Sequence, residues 1–189
     1  MTSRPARPRL APLPRTAWTD EVRTMIERTP GGETEPLNIF TTLARHPALV
    51  RRWLPFGTMM LTGALPPRDR ELLILRTAWN CRSAYEWGQH VRIGLAAGLA
   101  QEEIDRVPAG PSAAGWSPFD AALLGAADEL HADACVSDRI WAVLAERYGE
   151  PQLIEVPMLV GQYHMVAFTL NSLGVQREPG VVDLPSRAP

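Results

Sequence analysis

PPRDRELLILRTAWNCRSAYEWGQHVRIGLAAG, residues 66–98, decides the reading of this chain. Pro66-Pro67 punctuates. Leu72, Leu73, Ile74, Leu75 and Trp79 then make the next segment apolar almost all round a helical wheel, which predicts a buried helix. Asn80-Cys81 is a weak break. Ser83-Ala84-Tyr85-Glu86 fits a capping box, with the Ser hydroxyl and the Glu carboxylate each taking a free backbone N–H. That predicts a second helix to about Ala97, with Gly98 as its stop. Glu71, Cys81, Ser83, Tyr85, Glu86, Trp87 and His90 form the only dense cluster of reactive side chains in the sequence. Glu86 and His90 stand at i and i+4, so both face one side of the second helix.

Outward from this stretch the chain reads as helices throughout. Thr19 is the expected N-cap of a first helix, with Asp20 and Glu21 where negative charge suits the dipole. Pro30-Gly31-Gly32 ends it, and a short helix over Leu37–Ala44 follows. Pro47 opens another, closed by Gly63, with Pro55 predicting a kink or break. Beyond Gly98, Gln101–Val107 reads as a short helix and PAGPSAAG, residues 108–115, as a loop. Ser117-Pro118 and Ser137 start two more helices. Pro151 opens the last, strongly apolar one, which carries Pro157 and ends near Gly174. No stretch shows the alternation of a half-buried strand. The fold class is therefore all-α. One helical domain is expected over residues 18–178, between Pro/Arg-rich residues 1–17 and residues 179–189, both read as loose tails.

Composition narrows the function. The chain has 189 residues, 46% hydrophobic and 21% charged, a globular balance with room for a core. A net charge of −2 gives no basis for a nucleic-acid or anionic-membrane partner. No apolar run reads as a membrane span, and the basic start lacks the apolar stretch of a signal peptide. Two cysteines, Cys81 and Cys135, far apart, are no secreted disulfide framework, which points to a reducing cytoplasm.

Each candidate group has a plain structural reading and a chemical one. A carboxylate beside an imidazole fixes its tautomer, the arrangement of a general acid–base pair, so Glu86 is expected to orient His90. Glu71 suits a helix first turn. If its helix is buried, its pKa should rise towards proton-transfer range. Tyr85, Trp87, Ser83 and Trp79 are candidate substrate-contacting residues; each also reads as core. Cys81 lacks a Cys-x-x-Cys partner. His46, His90, His131 and His164 have no ligand-like spacing, so no metal is expected. No Gly-rich phosphate loop occurs, and no cofactor is expected. Gly161-Gln162-Tyr163-His164 sets polar groups on an apolar helix, where a core Tyr is the commoner case.

The run Arg68-Asp69-Arg70-Glu71-Leu72, then Tyr85-Glu86-Trp87-Gly88-Gln89-His90 and Ala97-Gly98, closely resembles the carboxymuconolactone decarboxylase family. Phe119-Asp120, Ala127-Asp128-Glu129-Leu130-His131 and the ending Gly161 to Gly174 are similar to that family's C-terminal half. The resemblance implies an alkyl-hydroperoxidase-D-like helical fold assembled as a homotrimer or homohexamer, with sites near subunit interfaces. It implies two chemistries. One branch decarboxylates γ-carboxymuconolactone without cofactor. The alkyl-hydroperoxidase branch uses Cys-x-x-Cys-x-x-x-His with an upstream relay Glu. Aligned on His90, the two redox cysteines fall at Ser83 and Glu86, and the relay at Glu71. The chain keeps the acid and the imidazole and lacks both sulfurs. The reading is a cofactor-free acid–base enzyme, a decarboxylase, lyase or isomerase, acting on a small enolisable or lactone-type acid. His90, Glu86 and Glu71 are its catalytic residues. The alternatives are hydroperoxide turnover at Cys81, as in peroxiredoxins, and a non-catalytic oligomer.

Overall fold

A computed structural model describes residues 3–186. Residues 1, 2 and 187–189, the outer ends of both expected tails, with Pro189 among them, lie outside the described residues. The described residues form nine α-helices and no strand, in line with the all-α reading. In chain order these are α1 (Asp20–Glu27), α2 (Asn38–Leu43), α3 (Pro47–Thr62), α4 (Pro67–Asn80), α5 (Ala84–Ala96), α6 (Gln101–Arg106), α7 (Pro118–Asp133), α8 (Asp138–Ala145) and α9 (Glu150–Leu173). Neither Pro55 in α3 nor Pro157 in α9 ends its helix, so of the kink or break expected at Pro55 the break is not made.

The chain divides into two compact units. One holds the residues up to Met59 with Thr169–Val181, the other Met60–Phe168 with the residues from Val182 onward. In the first unit the Thr19 hydroxyl caps α1 by accepting from the Val22 N–H. Val22 and Ile26 bury against Ala44, with Leu13, Trp18 and Met25 at the edge of that cluster. The Pro/Arg-rich segment, read as a loose tail, makes main-chain bonds here. The Arg9 N–H donates to the Leu173 carbonyl and the Leu13 N–H to the Thr41 carbonyl. Arg45 Nε donates to the Ala11 carbonyl.

The second unit is built on α4, which packs against α5 and α7. Every residue of α4 from Asp69 to Trp79 is buried, as its all-round apolar pattern predicts. Leu72, Leu73, Ile74 and Leu75 are wholly covered. Full burial of one such side chain stabilises by about 1.5–3 kcal/mol. The charged residues of α4 enter the interior with partners, as buried charge requires. The Arg76 guanidinium forks onto Asp128 at 2.6 and 2.8 Å and also donates to the Val107 carbonyl. Asn80 donates to the same Asp128. Arg68 bonds Asp120 and Glu103. Tyr148 donates to Asp69 at 2.7 Å.

Entry into α4 is fixed from α9. The buried Glu155 carboxylate accepts from the Ala64 and Leu65 N–H groups at 2.8 and 3.0 Å. Residue 63 must be glycine for this: a Cβ there would lie 2.5 Å from Glu155 Oε1.

The exit from α4 is a tight turn, Cys81-Arg82-Ser83, with Arg82 at φ 50° in the left-handed region. Ser83 is the N-cap residue of α5, but the expected capping box is not made. Its hydroxyl caps no N–H, and the Glu86 carboxylate points inward instead of back to the helix start. The physical reason is burial: Glu86 is 2% exposed, on the face of α5 turned into the unit. α9 corrects another expectation. By length and composition alone it is apolar enough to cross a membrane, yet half of its most apolar window is buried inside the protein.

Candidate active site

Three elements bring a polar cluster together inside the second unit. α4 supplies Glu71, wholly covered, with Arg70 beside it. α5 supplies Glu86 and His90 from its inward face. α9 supplies Tyr163. All five side chains are buried.

The pairing differs from the one the sequence suggests. His90 Nδ1 sits 2.6 Å from Glu71 Oε2, so the acid that holds the imidazole comes from α4 and not from the preceding turn of α5. The other Glu71 oxygen accepts from Arg70 Nε at 3.0 Å. Neither Glu86 oxygen has a hydrogen-bond partner among the described residues, and Ser83 Oγ has none either. The i, i+4 relation puts Glu86 on the same face as His90 without making them bond.

The acid strengths follow these surroundings. Burial alone would raise the Glu71 carboxyl, but the charge and hydrogen bond of His90, with Arg70, outweigh it and hold Glu71 below its ordinary value. This corrects the expectation of a raised Glu71. Burial instead pushes Glu86 well above the ordinary carboxylate value; the nearby Ser83 hydroxyl, outside hydrogen-bonding geometry, offsets only part of that. The surroundings push the two acids in opposite directions, Glu71 towards its ionised form and Glu86 towards its neutral one. Tyr163 meets His90 edge to face, 4.9 Å between ring centroids. Its hydroxyl is pushed well up by burial first, and then by the electrostatic influence of the Glu71 and Glu86 carboxyl groups.

Tyr163 joins the cluster although its sequence context favoured a core reading. The aromatic candidates stand differently. Trp79 and Trp87 pack on each other, 6.3 Å between centroids and tilted by 58°. Trp79 also lines a cavity of about 340 Å³ with Arg82, Leu184 and Pro185. Tyr85 is buried. Arg76, one of the cations available to clamp an anionic substrate, is already committed to Asp128.

A second cluster was invisible in the sequence. Cys81, His131 and His164 each place a donor atom within 4.8 Å of the others. Their positions are too far apart in the chain for any spacing rule to connect them.

The sequence model described as carboxymuconolactone decarboxylase family matches residues 47–129. That span covers Glu71, Glu86 and His90. No curated protein sequence matches the chain. Among solved structures, an alkylhydroperoxidase AhpD core protein from Ralstonia eutropha JMP134, an uncharacterised peroxidase-related protein, superposes with a TM-score of 0.79 at 19% identity. The match covers 92% of this chain and 95% of that one. The debrominase Bmp8, as a cysteine-to-alanine variant in complex with 2,3,4-tribromopyrrole, superposes with a TM-score of 0.70 at 13% identity, covering 90% of this chain and 91% of that one. Its apo form gives 0.69 at 13% identity, over 90% and 92%. Residues 47–129 thus carry the carboxymuconolactone decarboxylase family's sequence pattern, on a chain with the AhpD-like helical fold.

Proposed function

We propose that the protein is a cofactor-free acid–base enzyme that decarboxylates or isomerises a small enolisable acid or lactone. The observation that carries this reading is the division of labour between two buried carboxyl groups. Glu71 holds the imidazole and is pushed towards its ionised form; Glu86 has no hydrogen-bond partner among the described residues and is pushed by burial towards its neutral form. Environments that drive two acids apart in this way assign them different roles.

With Nδ1 engaged by Glu71, His90 Nε2 is the nitrogen that exchanges a proton with substrate. Loss of carbon dioxide, or of a proton beside a carbonyl, leaves an enolate that needs stabilising and then protonation at carbon. The Glu86 acid donates a hydrogen bond to the enolate oxygen, and His90 Nε2 delivers to carbon the proton it took from the substrate in isomerisation, or one taken up from solvent in decarboxylation. Glu71 keeps the imidazole in one tautomer. Tyr163 seals the cluster from α9. The chemistry uses no sulfur at Ser83 or Glu86, the positions where the peroxidase branch would carry cysteines.

The working form is a homotrimer or homohexamer. Support comes from α9, where Ile154, Met158, Met165 and Phe168 are all exposed along one helical stripe. Gly161 interrupts the stripe with open space at its Cβ position. A Phe168→Glu variant in light scattering checks the assembly.

The deciding experiment is turnover of γ-lactone and β-keto acids, followed by carbon dioxide release and by deuterium uptake from solvent. His90→Ala should lower kcat by about 10²–10⁴, with Cys81→Ser unchanged. Turnover indifferent to His90→Ala would overturn the assignment. A second reading, hydroperoxide reduction at Cys81, draws support from the two imidazoles beside that thiol. It predicts hydroperoxide consumption that Cys81→Ser abolishes.

A further inference from the structure

We infer that Cys81, His131 and His164 form a binding site for a borderline-soft divalent cation of the Zn²⁺ class. The site is separate from the Glu71–Glu86–His90 cluster and does not depend on its chemistry. Three elements build it: the C-terminal turn of α4, the last turn of α7 and the middle of α9. One thiol and two imidazoles, with one donor atom from each inside 4.8 Å, match the ligand types Zn²⁺ takes.

The hydrogen bonds argue for ligation more sharply than the distances do. His164 Nδ1 lies 2.8 Å from the Val160 carbonyl, which only accepts, so Nδ1 carries the proton. His164 Nε2 is then a bare lone pair. A ring N–H fixed on a backbone carbonyl is the outer-shell arrangement that orients metal-ligating histidines. That lone pair points at His131 Nδ1, 2.8 Å away. Two imidazole nitrogens on a tetrahedral Zn²⁺ stand about 3.4 Å apart, and a thiolate sulfur about 3.6 Å from each nitrogen. Opening the imidazole pair by roughly half an ångström and drawing in the thiol accommodates the ion. His131 is exposed, which leaves its ring room to change tautomer and position. Cys81 is buried at the helix end, where a thiolate gains from the ion what it lacks in hydration.

Binding is a simple exchange. The Cys81 thiol gives up its proton to solvent and the sulfur takes the metal. His131 moves its ring proton from Nδ1 to Nε2. No oxidant or reductant is involved, and three protein ligands leave a fourth position for water.

The test uses the purified full chain in its own assembly, stripped by chelator and titrated with Zn²⁺ and with Co²⁺ as spectroscopic probe. Expected are one ion per chain and a sulfur-to-cobalt charge-transfer band. Cys81→Ser should remove the band, and His164→Ala should weaken binding by more than the about 10–100-fold that loss of an outer partner costs. Cys135→Ser should change nothing. If Cys81→Ser fails to fold, the exposed His131→Ala carries the decision, with the same weakening required. No stoichiometric binding by the folded parent, a cobalt complex without the sulfur band, or affinity indifferent to His131→Ala would each overturn the site.

Discussion

His90 Nδ1 is bonded to Glu71 Oε2 at 2.6 Å across nineteen residues of sequence, while Glu86, one helical turn before His90, bonds to neither. The acid nearer in sequence is the one burial pushes towards its neutral form, and the more distant acid makes the hydrogen bond to the imidazole. This inversion governs how the two carboxyl groups respond to pH.

Glu86→Gln should stabilise the protein increasingly as pH rises. Folding raises the Glu86 pKa above its ordinary 4.5. Above 4.5 the unfolded chain releases this proton while the folded chain retains it, so stability falls with rising pH up to the folded pKa. Glutamine has no such proton and removes that slope. Urea unfolding of parent and variant from about pH 5 to about pH 8 reads the difference. A constant gap across that range would sink the idea of a neutral, buried acid.

Glu71→Gln should do the opposite. The folded pKa of Glu71 is depressed, so its contribution is complete above the ordinary 4.5 and is lost as pH falls through the folded value. At neutral pH the variant should lose about 3 kcal/mol, because the buried groups around residue 71 lose a charged partner. The deficit should shrink in acid below that window. Equal deficits at neutral and acid pH would show that packing, and not charge, is what Glu71 supplies.

Gly63→Ala should destabilise by about 2 kcal/mol, the scale of charge-assisted hydrogen bonds lost when Glu155 is pushed off the Ala64 and Leu65 N–H groups. Glu155→Ala in the same thermal scan should cost a similar amount. The double variant should cost little more than either alone, since both act through one contact. Additive losses would mean that the two residues act independently.

Ala134→Gly should stabilise by about 1 kcal/mol. Ala134 ends α7 in the left-handed conformation, φ 57° and ψ 22°, where a Cβ is unfavourable and glycine is at ease. A higher melting temperature checks it, and an unchanged or lower one contradicts it.

What the sequence could disclose was set by range. The apolar run of α4, the glycine stop at Gly98 and the caps at Thr19 and Ser117 are local patterns. Each appears in the structure where it was expected. Of the cluster, Glu71, Glu86 and His90 were legible only in their membership, and Tyr163 read as core. Helical spacing puts two residues on one face but says nothing of which acid from another helix reaches the imidazole first. Ser83 and Glu86 fit a capping box by type, and burial took both away from it. The meeting of Cys81 with His131 and His164 depends on how α4, α7 and α9 pack, and no spacing rule reports that. At Pro55 the helix continues without the break that was one of the two expected outcomes, because a helix held by its neighbours tolerates one lost backbone bond.

Tyr163 and His164 are joined by a single peptide bond on α9, one ring against His90 and the other beside Cys81. A rotation of that helix by a few degrees therefore moves both rings at once. The two clusters share one axle.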